Sequence, residues 1–314
     1  MRPRRAVARL LFVPILAAAV VCAWPARAQD DALFLRGFYA ECLSALGELA
    51  PTREHRVFLL KRRIDLEVTD EDEKIPSDAI GLYSDVDNKM YFRKETIDSG
   101  RKTLSGRGVA DDEIARMMAW KMLPTMAHEI RHAITHDKIR RRLGFTFAMP
   151  CLESEMISFV DTVRVMKAAI AAKPDYWADG MLVDVDADNG QLLAAWRKNP
   201  SALKDLVEPL YPDIASVLDM SQEELLARVD DRLQESSRSR DKVLAAQKAA
   251  LAMRDPEERA LALKALDASG DERSSRVDLE RIAALRLAIG DTVKYKGLRE
   301  FYLKQIKALV RLTP

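Results

Sequence analysis

The sequence predicts a mostly helical α+β protein with a small antiparallel sheet in its N-terminal half. Three observations support this fold class. The 314 residues contain only 12 Gly and 13 Pro, which favours long helices. Apolar residues recur at helical spacing over most of the chain. Segments rich in β-forming residues are confined to residues 56–92.

Residues 1–28 have the pattern of a secretory signal peptide. A basic start is followed by an apolar run over residues 10–24, and Ala26-Arg27-Ala28 offers a small-x-small cleavage site. We expect cleavage before Gln29 and a periplasmic or secreted protein. The run is too short to span a bilayer comfortably, which takes about 20 residues. No later segment is long and apolar enough, so we expect no membrane span after cleavage.

The charge balance argues against a nucleic-acid partner. The whole chain has a net charge of +1. Residues 1–28 contain five Arg and no acidic residue, so the remaining chain has 45 basic and 49 acidic residues, a net charge of −4. A nucleic-acid-binding protein usually has an excess of Lys and Arg.

Two cysteines, Cys42 and Cys151, remain after the expected cleavage. Exported thiols tend to pair, so we expect a Cys42–Cys151 disulfide. The alternative is two buried free thiols.

The elements follow in order along the chain. Residues 31–50 predict a helix and residues 56–68 a strand, because β-formers cluster in the second segment. Residues 80–83 and 89–92 predict two strands of a hairpin around Asp85-Val-Asp-Asn88, which has the composition of a turn.

The rest of the chain predicts helices separated by one loop-rich segment. Asp111 or Asp112 is expected to cap a helix that runs to about Leu143, with a kink or break at Pro124. A second helix is expected over residues 152–172, and residues 173–200 contain several loop signals. The expected organisation is therefore a signal peptide (1–28), a catalytic domain (29–200) and a helical C-terminal region (201–314).

The motif His128-Glu129-Ile130-Arg131-His132 carries the functional prediction. Two His four residues apart lie on one helix face, so their ring nitrogens can bind one Zn²⁺. Glu129 leaves the helix about 100° from His128, beside the metal, where it can act as a general base. The alternative is a helix with two surface His and a Glu by chance.

This motif resembles that of the zincin metallopeptidases, and the resemblance covers about residues 56–165. The metzincin form places a Gly and a third His shortly after the second His. Here no Gly follows at that place, and His136 lies about 12 Å from His128 along the helix axis, so the two cannot easily share one ion. The gluzincin form takes a Glu from a later helix, followed three residues on by a small residue. Glu155 and Ser158 match that pattern. The resemblance also implies a sheet whose edge strand can pair with an extended substrate.

Glu153 is the second choice for the third ligand. Side chains two residues apart on a helix point about 160° apart, so only one of the two Glu can face the metal. Small residues lie beside Glu155, and larger ones, including Arg164, lie beside Glu153. Because a Glu ligand requires its helix to come close to the His-bearing helix, we favour Glu155.

The resemblance implies a zinc metallopeptidase that hydrolyses peptide bonds in a protein or a cell-wall peptide, with Glu129 as general base. A catalytically inactive zincin-fold protein, acting as a periplasmic binding or scaffold module, is the alternative. Several residues remain open as stabilisers of the developing oxyanion. These are Arg131, His136, Arg164, Tyr176 and Tyr211.

Overall fold

The computed structural model is a mostly helical α+β structure with one small sheet. It describes residues 12–72, 74–76, 79–84, 86–147, 149–177, 191–194, 196, 205, 207–211, 214–269 and 271–311. The expected boundary between residues 200 and 201 lies outside the described residues.

Helices form most of the structure, and the predicted fold class is confirmed. The N-terminal helices are α1 (Phe12–Glu48), α2 (Arg53–Arg62), α3 (Lys94–Ser105), α4 (Asp111–Leu143), α5 (Leu152–Ala172) and α6 (Pro174–Trp177). The C-terminal helices are α7 (Gln222–Leu251), α8 (Pro256–Ser269), α9 (Asp271–Gly290) and α10 (Thr292–Arg311). Short 3₁₀ turns occupy Ala50–Thr52 and Glu208–Leu210.

The small sheet contains the expected antiparallel hairpin and a third strand in parallel, so it is mixed. Its strands are β1 (Asp65–Thr69), β2 (Gly81–Ser84) and β3 (Lys89–Arg93), in the order β1-β3-β2. The predicted hairpin makes β2 and β3 antiparallel, whereas β1 pairs with the other side of β3 in parallel. The segment between β1 and β2 is long enough to cross from one side of β3 to the other, which permits this order.

Residues 56–62 are helical rather than extended, which corrects the strand predicted at 56–68. Within α2, His55 and Leu59 are buried four residues apart, and Val57 is 64% exposed. A short apolar run cannot distinguish a helix from a strand by composition. The helix ends at Arg62 and is followed by Arg63 in the left-handed conformation (φ 51°). Strand β1 begins two residues after Arg63.

The hairpin turn is tied to the end of α2 by Asn88. This residue has a φ of 55°, a conformation that Asn tolerates better than most residues. Its side-chain amide donates to the carbonyl oxygens of Arg62 and Arg63 at 3.0 and 2.8 Å. The contact holds the start of β3 in register beside α2.

The long helix α4 runs through the centre of the molecule. It begins at Asp111, with Ala110 as its N-cap and no side-chain cap, so the predicted capping by Asp111 or Asp112 was wrong. Both Asp lie in the first turn, where negative charge favours the helix dipole. The helix is not split at Pro124, which is buried within it. It ends at Leu143 and is followed by Gly144, whose φ of 77° is the left-handed conformation typical of a glycine after a helix.

Two main apolar clusters surround α4. The first combines α1, the sheet and the N-terminal half of α4, with Phe38 packed edge-on against Phe92. The second combines the end of α4 and residues 145–157 with α7, α9 and α10. A smaller third cluster covers α5 with Leu192, Leu193 and Trp196.

The expected disulfide is absent, because Cys42 and Cys151 are both buried free thiols. Cys42 lies in the first cluster and Cys151 in the second. The Cys151 thiol donates instead to the hydroxyl of Tyr302 on α10, at 3.3 Å. Burial raises the pKa of both thiols well above the ordinary value.

None of the helices in the described residues is long and apolar enough to cross a membrane.

Candidate metal centre

Helix α4 places His128 and His132 side by side at its contact with α5. Their neighbours Met126, Ala127 and Ile130 are buried in the first cluster, so the helix cannot rotate to move the two imidazoles away. The ring centroids of His128 and His132 are 4.8 Å apart. The ring of Phe159 on α5 lies 4.6 Å from that of His128 and forms an apolar wall beside it.

Glu155 completes a group of three potential metal ligands. His128 Nε2 and His132 Nε2 are 3.0 Å apart, and Glu155 Oε2 lies 3.3 and 3.4 Å from them. Ligands held at about 2.0–2.2 Å from a tetrahedral zinc ion are separated by about 3.3–3.6 Å. The three atoms therefore have nearly the spacing of one face of such a site. This group could hold a metal ion.

The Glu155 carboxylate also has the properties expected of a ligand. Its Oε2 atom is buried and has no hydrogen-bond partner among the residues that the structure describes. Such an orphaned acceptor is costly unless a cation or a donor satisfies it. Burial tends to raise the pKa of this carboxyl, but the two His side chains in their protonated form donate to it, outweigh that effect and hold the pKa well below the ordinary value.

The hydroxyl of Thr162 sets the tautomer of His128. Thr162 Oγ1 donates its single proton to the carbonyl oxygen of Ser158 at 2.9 Å. It therefore accepts from His128 Nδ1, which is 3.3 Å away. With the proton on Nδ1, the lone pair of the neutral ring is on Nε2, which faces Glu155. This is the arrangement that metal-binding His usually has.

His132 has an equivalent partner in Ser154. His132 Nδ1 lies 2.9 Å from Ser154 Oγ, so this ring is also anchored through the nitrogen that faces away from the cluster. Burial raises the pKa of Tyr302, whose hydroxyl accepts a hydrogen bond from Cys151, the residue that precedes α5. Tyr302 therefore links the C-terminal helix α10 to the start of the helix that carries Ser154.

Glu129 is held beside the cluster by the edge of the sheet. The backbone N–H of Tyr83 in β2 donates to Glu129 Oε2 at 3.1 Å. The strand comes this close to α4 because Gly81 has no side chain, since a Cβ there would lie 2.8 Å from Thr125 Cγ2. Burial raises the pKa of Glu129 to about 7, against the opposing effects of His132 and the Tyr83 N–H.

Glu153, the second choice as ligand, lies outside the group. It is 3% exposed and accepts hydrogen bonds from Ser216 Oγ and from the backbone N–H groups of Val217 and Leu218, at 2.8–2.9 Å. Both carboxylate oxygens are occupied in this way. The side chain anchors the turn before α7 rather than facing His128 and His132.

Most of the oxyanion candidates interact away from the three ligands. Arg131 binds Asp161 and Glu54, and Tyr176 donates to Glu113. Arg164 lies 3.6 Å from Asp161. His136 is not a member of the potential metal group.

Three residues that orient the site were not predicted from the sequence in these roles: Ser154, Thr162 and Tyr83. Thr162 follows Glu155 by seven residues, a spacing that keeps both on one face of α5, so helical periodicity could have suggested it. Tyr83 acts through its backbone, and no side-chain signal could have identified it.

The fold and the site define a mostly helical protein with a candidate three-ligand metal centre. No family model, curated protein or solved structure significantly matches this chain.

Proposed function

We propose that the protein is a zinc-dependent metallopeptidase. The observation that supports this most is the placement of three potential ligand atoms within 3.0–3.4 Å of one another. The half-buried carboxylate of Glu129 lies beside these atoms and is not a member of the group. His128, His132 and Glu155 would hold the ion. Two imidazoles and one carboxylate are a common protein ligand set of catalytic zinc.

Zinc bound there would supply a Lewis acid that polarises the peptide carbonyl and makes water more acidic. Glu129 would accept a proton from the attacking water and deliver it to the leaving amine nitrogen. Its pKa of about 7 suits both steps near neutral pH. The hydrogen bond from Tyr83 engages Oε2 and fixes the carboxylate in position, so that Oε1 can take the proton.

Strand β2 would align the substrate. Arg93 N–H donates to the carbonyl oxygen of Ile80 at 3.0 Å, and backbone groups alternate in direction along an antiparallel pair. Gly81 and Tyr83 therefore point their backbone groups away from β3, towards α4. Because the N–H of Tyr83 is engaged by Glu129, an extended peptide lying along this edge would pair with the backbone groups of Gly81 and bring its carbonyl to the three ligands. The substrate would be a protein or a cell-wall peptide.

The location of the protein is part of the proposal. We infer from residues 1–28 that the chain is exported to the periplasm or secreted. Zinc and peptide substrates are both accessible to an exported enzyme. The N-terminal sequence of the protein recovered from the host envelope would test the expected cleavage before Gln29.

Metal content is the first test of the proposal. Wild-type protein should contain about one zinc per chain by elemental analysis, and His132→Ala should contain almost none. His136→Ala is the matched control, because it removes the same side chain one turn further along the same helix. It should retain zinc. Equal zinc loss in both variants would contradict the ligand assignment.

Hydrolysis is the second test. Glu129→Gln should retain zinc and lose cleavage of a peptide library by about 10²–10⁴-fold, as expected for loss of a general base. The exposed variant Glu95→Gln should cleave like the wild type. Zinc binding without hydrolysis in the wild type would instead support the inactive binding or scaffold protein.

A further inference from the structure

A small cleft lies next to the candidate metal centre, along the same face of α4. Its volume is about 160 Å³, and Tyr83, Ala133, His136 and Arg140 are among its lining residues. Ala133, His136 and Arg140 follow Glu129 by four, seven and eleven residues, a spacing that keeps all of them on one helix face. Tyr83 connects the two places, because its backbone N–H binds Glu129.

Among the residues that the structure describes, the walls of the cleft have an excess of positive charge. Arg62, Arg140 and Arg281 line it, together with the carboxylate of Asp137, and Arg281 makes an interaction of its own. Asp137 is shared among three guanidinium groups, since Arg62, Arg140 and Arg141 all pair with it. One carboxylate cannot neutralise three guanidinium groups. Burial lowers the pKa of Arg62, and repulsion from Arg140 and Arg141 lowers it further.

The distance between Glu129 and the cleft suits a substrate residue that lies a few residues from the cleaved bond. The helical rise places Ala133 and Arg140 about 6 and 16 Å beyond Glu129 along the axis. An extended peptide advances about 3.3 Å per residue. A chain lying along β2 would therefore reach the cleft about two to five residues from the bond at Glu129.

We propose that this cleft binds a carboxylate of the peptide substrate, two to five residues from the bond that is cleaved. The proposal rests on the proposed peptidase function. Arg guanidinium groups bind carboxylates through paired hydrogen bonds, and the half-buried Phe58 and Tyr83 reduce solvent screening of the charge. The carboxylate belongs either to an Asp or Glu side chain or to the substrate's C-terminus.

A peptide series tests the position and source of the carboxylate. Fluorogenic peptides of one sequence carry Glu or Gln at each of five positions on either side of the cleavable bond. A second series compares a free C-terminus with a C-terminal amide at the same distances. Wild-type protein should cleave the carboxylate form at least tenfold more efficiently in kcat/KM, at one or two adjacent positions on one side. The preference should weaken as salt is added.

Arg140→Gln is the informative variant. Arg140 is half exposed, and Asp137 keeps Arg62 and Arg141 as partners after the change, so the fold should be retained. The carboxylate preference should fall to threefold or less. Arg142→Gln removes the same charge from an exposed position on α4 outside the cleft and should keep the full preference.

Direct binding separates this proposal from the peptidase function. The same Glu and Gln peptides, labelled for fluorescence anisotropy, are titrated into Glu129→Gln protein, with and without the Arg140→Gln change. Suppose that the wild type cleaves no peptide, that the Glu peptide still binds Glu129→Gln protein at least tenfold tighter than the Gln peptide, and that Arg140→Gln removes this difference. The cleft proposal is then supported and the peptidase function is contradicted. Cleavage without a carboxylate preference overturns the cleft and leaves the function standing. Equal losses in Arg140→Gln and Arg142→Gln also overturn the cleft.

Discussion

At the scale of single residues, one hydroxyl proton determines which nitrogen of His128 can bind a metal. Thr162 donates that proton to Ser158 O and can only accept from His128 Nδ1. The orientation of the Nε2 lone pair towards Glu155 therefore depends on a side chain that is not one of the three potential ligands. Glu129 depends in the same way on a backbone group, the N–H of Tyr83.

Thr162→Val should weaken zinc binding about 10–100-fold, which is typical for loss of a partner that orients a metal ligand. Valine has the shape of threonine but leaves His128 Nδ1–H without an acceptor. Competition with a chromophoric chelator measures the affinity. Thr162→Ser keeps the hydroxyl and should bind zinc nearly as the wild type does. Unchanged affinity in Thr162→Val would show that Thr162 does not orient His128.

Glu129 should make the stability of the metal-free protein depend on pH. Its folded pKa is about 7, against an ordinary value of 4.5, so the folded state holds a proton that the unfolded chain has lost between these values. The free energy of unfolding should therefore fall as the pH rises from about 5 to 7. Each pKa unit corresponds to about 1.4 kcal/mol. With a discount for partial exposure, the loss is on the order of 2 kcal/mol.

Glu129→Gln should remove this pH dependence, because glutamine has no proton to lose. In urea titrations with a chelator present, its stability relative to wild type should rise by on the order of 2 kcal/mol between pH 5 and pH 8. Glu95→Gln, on the surface of α3, should follow the wild-type curve. Parallel curves for wild type and Glu129→Gln would contradict the raised pKa.

At the scale of elements, α5 uses two Glu side chains on different faces for different purposes. Glu155 faces α4 and the two His, whereas Glu153 binds the turn before α7. Sequence reasoning favoured Glu155 because small residues lie beside it. It could not locate the partners of Glu153, since the backbone N–H groups of Val217 and Leu218 are 64 and 65 residues away in sequence.

The two Glu variants should separate metal binding from stability. Glu155→Gln should lose zinc with little loss of stability in the metal-free protein. Glu153→Gln should keep about one zinc per chain but lower the free energy of unfolding by about 1–3 kcal/mol, because buried N–H donors lose a charged acceptor. Elemental analysis and urea unfolding measure the two effects. Zinc loss in Glu153→Gln but not in Glu155→Gln would reverse the assignment.

The sequence predicted the helices more accurately than the sheet. Helix α5 has the expected limits, and α4 ends where its periodicity ends, because helical hydrogen bonds and amphipathic spacing are local. Strand partners come from distant parts of the chain, so the parallel pairing of β1 with β3 left no local signal. The apolar residues of α2 were mistaken for a strand, since four consecutive apolar residues are compatible with either structure.

The candidate site was predictable to a similar extent. Two His and a Glu on adjacent turns of α4 form a local pattern, and this pattern identified three of the four key residues. Glu155 required a comparison of two helix faces. The contributions of Ser154, Tyr83 and Tyr302 depend on contacts between distant elements, which the spacing of residues in one chain does not reveal.

At the scale of the whole molecule, the C-terminal helices share a core with the elements that carry the site. Phe147, Cys151 and Ile157 pack in one cluster with residues of α7, α9 and α10. Tyr302 of α10 accepts the hydrogen bond of Cys151. The expected catalytic domain at 29–200 therefore shares its packing with the C-terminal region.

Tyr302→Phe should weaken zinc binding, because the site depends on packing against the C-terminal helices. Loss of the hydroxyl removes the acceptor of the Cys151 thiol at the start of α5, the helix that carries Ser154 and Glu155, so zinc affinity should fall several-fold. Tyr295→Phe is the matched control in the same cluster, since the Tyr295 hydroxyl binds Met220 O and lies away from the site. It should keep zinc affinity. Chelator competition on both variants makes the comparison, and equal affinities would show that α10 has no influence on the centre.

The two buried thiols have a practical consequence for following how the molecule opens. Cys42 and Cys151 lie in different clusters, and neither can react with an alkylating reagent until its surroundings separate. The labelling rate of each thiol therefore reports how fast its own apolar cluster opens. Labelling at one common rate would mean that both halves open as a single cooperative unit. Two distinct rates would reveal the order in which they come apart.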